Sequence, residues 1–171
     1  MRRLVVVVLA LGLVACGGSK EKADKAAVET YINTDLNGII GVLWVGKKPL
    51  DTVKGDHFEN AHGWFAHPSA LDNTVIPRMD QVLAGLAKIT PPESMKNMHQ
   101  QLVEVATIDR DAAKGLGDAV AAEDKAKFAA AYAKAEDGRT RYLNWQKSMD
   151  AVLDEYKITL KDPPPPPDLP K

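Results

Sequence analysis

AVAAEDKAKF, residues 119–128, places a short polar turn, Glu123-Asp124, between two stretches that repeat apolar or small residues at alternating steps of three and four. On the amino side the series is Met95, Met98, Leu102, Val105, Asp109, Ala112, Leu116 and Ala119. On the carboxyl side it is Phe128, Ala131, Ala135, Gly138, Tyr142, Trp145, Met149, Val152 and Tyr156. Folding the chain back at the turn sets Ala119 against Phe128, Leu116 against Ala131 and Ala112 against Ala135, and so on out to Met95 against Val152. Matched layers along a heptad seam, joined by a short turn, specify an antiparallel helical hairpin. Small residues near the turn predict close approach at Ala112, Ala135 and Gly138, and large ones predict a wider gap around Trp145 and Met149.

One seam member does not suit a core. Asp109 falls opposite Gly138, beside Arg139 and Arg141. A buried carboxylate without a partner costs several kcal/mol, so it must be exposed, paired or protonated. The expectation is that Asp109 tips to the surface or pairs with an Arg while Ile108 takes the inward place. The alternative is a polar group lining a cavity in the seam.

Towards the amino end, Val75, Met79, Val82, Leu86 and Ile89 form one face of a helix over 73–89, with Pro77 in its first turn, where a missing donor costs little. Thr90-Pro91-Pro92-Glu93 then reads as a capping box opening the next helix. Val28, Ile32, Leu36, Ile39 and Leu43 predict a first helix over 23–44, ended by Gly46 and Pro49. The reading is therefore all-α: an up-down antiparallel four-helix bundle over residues 23–160, with an irregular segment, 46–73, between helices 1 and 2. A composition that is 45% hydrophobic and 6% aromatic suits that class. The end, Asp162 to Lys171 with five consecutive prolines, cannot be helical and is expected to be a disordered, solvated polyproline arm over 161–171.

The chain opens MRRLVVVVLALGLVACGG: two arginines, a short apolar run, then Leu13-Val14-Ala15-Cys16. The apolar run is too short to span a bilayer and has the layout of an export signal. Its Leu-Val-Ala-Cys end resembles the lipobox of bacterial lipoproteins. That resemblance implies cleavage after residue 15, lipidation of Cys16, and membrane attachment through that anchor, with residues 16–22 as lipidated start and polar tether. It further implies a place in the bacterial cell envelope; Gly17 after the Cys, rather than Asp, points to the outer membrane facing the periplasm in a Gram-negative host. The run Ile89-Thr90-Pro91-Pro92-Glu93 followed by His99 and Leu102 resembles a pattern of small helical bacterial lipoproteins of unknown function, and implies no activity.

Cys16 is the only cysteine, so no intrachain disulfide can form, and the lipidation implied for it excludes a thiol catalyst. Without residues 1–15 the formal charge moves from −1 to −3 as Arg2 and Arg3 leave. No basic footprint for nucleic acid exists.

HFENAHGWFAH, residues 57–67, holds three of the four histidines. His57, His62 and His67, five apart, would not converge on a helix, and Gly63 and Pro68 argue for a loop. With Glu59 and neighbouring acids such a loop is a candidate site for zinc. Glu59-x-x-His62 is also the unit that di-iron bundles carry twice, but His99 has Lys96 where the second Glu would stand. The preferred reading is a loop pinned by Phe58, Trp64 and Phe65, with no cofactor. His99 reads as a hydrogen-bonded structural residue. No hydrolase, zincin, Walker or dinucleotide motif occurs, so no catalytic residue is nominated. The expected function is a non-enzymatic envelope lipoprotein presenting its surface to a protein partner; the alternative is a lipoprotein binding a metal or small ligand through His57, His62 and His67.

Overall fold

The computed structural model describes residues 17–58 and 71–169, and every regular element within them is helical. Helix α1 (Gly17–Thr30), a π-helical turn (Tyr31–Leu36) and α2 (Asn37–Asp51) form one rod, because Thr30, Leu36 and Asn37 all keep right-handed helical geometry. The rod corrects both of its expected ends. It starts at Gly17, inside the stretch expected to be a tether, and continues past Gly46 and Pro49 to Asp51. Gly46 is a packing residue rather than a stop: a Cβ there would lie 2.6 Å from Arg78 Cβ. Pro49 lies in the last turn, and the helix ends two residues later, where Thr52 and Val53 close that turn on Pro49 O and Leu50 O.

The segment expected to be irregular is thus partly helical. After α2 comes a 3-10 turn (Gly55–Phe58), whose Phe58 ring packs 5.4 Å from that of Phe128, and Leu71–Val75 forms a second π-helical turn leading into α3 (Ile76–Leu86). Pro77 sits in the first turn of α3 as expected. The capping box does not form. A 3-10 turn (Glu93–Met95) starts instead from Pro92, with no side-chain cap, and Glu93 pairs with Lys96 at 2.6 Å.

The hairpin follows the sequence closely. Helices α4 (Lys96–Ala121) and α5 (Lys125–Tyr156) flank a turn in which Glu123 takes φ 51 and Asp124 caps α5 by accepting from Lys127 N at 3.0 Å. Every seam residue from Met95 to Ala119 and from Phe128 to Met149 is buried; Val152 and Tyr156 are half-buried at the open end. The pairing is antiparallel, with Gly138 against Asp109, Gly115 against Ala131, and the Trp145 indole donating to Met98 O at 3.1 Å. Contacts of Gly46 with Arg78 and of Gly85 with Ile39 make α2 and α3 antiparallel too. The rod runs alongside α4 in the same direction, Tyr31 meeting His99 and Lys47 meeting Asp109. It runs opposite to α5, Asp24 meeting Tyr156 and Trp44 meeting Tyr142. The core between them is almost wholly aliphatic, with Leu36, Leu43, Leu86, Leu102 and Leu116 all at 0% exposure. Each such Leu contributes about 1.5–3 kcal/mol by burial.

The carboxyl-terminal arm corrects a further expectation. Expected to be disordered over 161–171, it lies, over its described residues 161–169, as an extended segment against the rod, fixed by side chains of Asn33, Asn37 and Arg78.

Candidate binding cleft between the first and last helices

Asp109 is fully buried, correcting the expectation that Ile108 replaces it or that an Arg takes it to the surface. Its partner is Lys47, from the part of α2 that sequence reasoning left as loop. Lys47 Nζ donates to Asp109 Oδ2 at 2.7 Å, and the two side chains are 3% and 0% exposed. Lys47 also lies 3.7 Å from Asp51 Oδ1 and 5.2 Å above the Tyr142 ring, so its charge is met by a second carboxylate and an aromatic face. Asp51 in turn faces Arg139 at 3.6 Å and accepts from it through its main-chain oxygen at 3.1 Å. Among the described residues Asp109 Oδ1 has no hydrogen-bond partner, and it abuts the bare Cα of Gly138. Burial pushes the Asp109 carboxyl up from the ordinary range, against the pull of Lys47 in the other direction.

The stripe itself carried the signal for Lys47. Leu43, Lys47 and Leu50 continue the spacing of four and three, so a helix read through Gly46 would have turned Lys47 inward, level with the one carboxylate in the opposing seam.

Above this pair, Tyr142 joins the polar floor to an apolar groove. Its hydroxyl accepts from Trp44 Nε1 and from Gln146 Nε2, the latter at 3.2 Å, and its ring stacks on Trp145 at 5.9 Å. Burial raises its pKa to about 12, so it stays a neutral phenol. The groove, about 320 Å³, is lined by Ile40, Trp44, Tyr142, Leu143, Leu153 and Leu160 among others. Trp44 and Leu143 expose 46% and 50% of their surface at its rim. This arrangement can hold an apolar surface against a rigid wall. Asp109, with no exposed atom, acts only by fixing Lys47.

The remaining candidates separate. His99, half-buried on α4, bonds Tyr31 across the core at 3.0 Å between Nδ1 and the hydroxyl, and burial lowers its pKa. Glu59, His62 and His67 lie outside the described residues, as do Cys16, Trp64 and Phe65; of His57 only the backbone is described, in the 3-10 turn. Among the described residues no three His, Cys, Asp or Glu side chains gather as a metal site, and no helix is long and apolar enough to cross a membrane. No family model, curated protein or solved structure matches this chain.

Proposed function

We propose that this chain is a lipid-anchored protein of the bacterial cell envelope, held by acyl chains on Cys16, whose body serves as a non-enzymatic binding or structural module. The observation that carries the reading is the leader ending in Leu13-Val14-Ala15-Cys16. Two acyl chains give stable attachment where one gives only marginal binding. In a Gram-negative host the site of attachment is the outer membrane, facing the periplasm. The alternating helix directions support an up-down antiparallel four-helix bundle as that body, and the Trp44–Leu143 groove is the surface it offers to a protein partner.

The test is metabolic labelling with an alkyne analogue of palmitate, followed by membrane fractionation. The wild-type chain takes up label and sediments with membranes; Cys16→Ser takes up none. Equal labelling of the two proteins, or a wild-type chain found unlabelled in the soluble fraction, would reject the anchor.

A further inference from the structure

Beyond Tyr156 the chain leaves α5 through Lys157, in the left-handed region at φ 51, and turns along the rod in the direction of α1 to α2. Asn33 and Asn37, one helical turn apart and each 8% exposed, grip it by its main chain. Asn33 Nδ2 donates to Thr159 O at 3.0 Å while Asn33 Oδ1 accepts from Lys161 N at 2.9 Å, and Asn37 Nδ2 donates to Asp162 O at 3.2 Å. One turn further on, Gly41 leaves a bare floor: a Cβ there would meet Pro164 O at 3.1 Å and Pro163 Cβ at 3.3 Å. From α3, Arg78 donates through Nη1 to Pro167 O.

These contacts follow the chemistry of a proline run. Proline has no N–H, so its carbonyls are the only hydrogen-bonding groups it offers, and a polyproline II chain has no internal bonds to satisfy them. Among the described residues the site meets the run with one donor, Arg78 Nη1 on Pro167 O, and with bare helix surface at Gly38 and Gly41 where the rings of Pro163 and Pro164 lie, while Asn33 and Asn37 hold Thr159, Lys161 and Asp162 just before it. Among the described residues none of these hydrogen bonds engages an arm side chain; the side-chain contacts are those of the Pro163 and Pro164 rings on the glycine floor and of Ile158 in the core. Arg78 is 7% exposed, yet among the described residues its buried Nε has no partner, so it is a donor that the described arm does not use.

We propose that Asn33, Asn37, Gly38, Gly41 and Arg78 form a recognition site for extended proline-rich segments, that the chain's own arm is a displaceable resident, and that a proline-rich segment of another protein takes its place. Among the described residues four hydrogen bonds hold the arm, each worth about 1 kcal/mol net, beside the burial of Ile158 at its root, and the tether makes the arm a competitor at about millimolar effective concentration. An incoming segment with an acceptor for Arg78 Nε gains a bond that the described arm lacks. The inference holds whether or not Cys16 carries lipid.

The test uses the full chain, purified in mild detergent, and a fluorescent peptide of residues 158–169. Three proteins are titrated: wild type, an arm variant (Pro163→Gly, Pro164→Gly, Pro165→Gly) whose resident loses its stiffness, and that variant with Gly41→Leu added. The arm variant is expected to bind the peptide at least tenfold more tightly than wild type, and Gly41→Leu to reverse the gain. Hydrogen exchange of Lys161 N, the arm amide held by Asn33, is expected to speed up in wild type as unlabelled peptide is added. Should Gly41→Leu disturb the fold by circular dichroism, Asn37→Ala in the same background takes its place and is expected to weaken binding. Equal affinity of wild type and arm variant overturns the proposal, as does equal binding of a peptide whose prolines are all glycine. A wild-type dimer that Gly41→Leu abolishes supports the site and identifies the incoming segment as the arm of a second copy.

Discussion

Lys47 and Asp109 form an ion pair that neither residue could enter alone. Taking one partner from a buried pair strands a charge, at about 3–5 kcal/mol, whereas replacing both by apolar residues of similar shape is neutral or stabilising. Lys47→Met and Asp109→Leu are therefore each expected to cost about that much in urea unfolding, and the double variant to lie within about 1 kcal/mol of wild type. Additive losses would show that the two residues do not act as a pair. His99 carries the pH dependence. Its burial lowers its pKa below 6.5, so the unfolded chain binds more protons between the lowered value and 6.5. Its contribution is full above that range and is lost as pH falls through the folded value. His99→Gln keeps an acceptor for the Tyr31 hydroxyl without a titrating ring, and is expected to lose less stability than wild type between about pH 7.5 and 5. Parallel pH profiles of urea midpoint would show that His99 titrates alike folded and unfolded. Asp109 was legible in the sequence as a misplaced charge, but not its partner, because a distant Lys becomes a partner only once a helix is known to reach it.

At the scale of elements, periodicity was a good guide wherever it ran unbroken, and α4, α5 and their turn stand where the two series put them. Punctuation residues misled. Gly46 was read as a stop, yet α2 passes through it because α3 lies too near for any side chain. In an exposed helix Gly→Ala stabilises by about 1 kcal/mol; Gly46→Ala is expected to destabilise by about 1–3 kcal/mol, since Arg78 Cβ is stiff main-chain-bound carbon that cannot swing aside. A rise in thermal midpoint for that variant would contradict the packing. The π-helical turn Tyr31–Leu36 had no signal at all. Its wider circuit brings Tyr31, Ile32 and Asn33 into burial together, which a regular stripe does not permit.

For the whole molecule, the mirror symmetry of one hairpin set α4 against α5 and nothing beyond them, while the fate of the proline arm was hidden. Composition marks such a segment as unable to build a core of its own. It says nothing of a surface elsewhere in the chain that fits it, and Asn33 and Asn37 looked like ordinary polar positions until the arm lay across them. The same blindness covers the groove beside Trp44, whose walls come from residues about a hundred positions apart in the chain, such as Trp44 and Tyr142.

The course of the arm also fixes a ruler. It is last gripped at Pro167 by Arg78, whose Cβ faces Gly46, and 46 − 17 = 29 helical residues separate Gly46 from Gly17, roughly 40 Å at about 1.5 Å each. A fluorescent tag fused behind Leu169 would report from that height above residue 17, and energy transfer to a dye at Lys22 would dim or brighten with every release and return of the arm.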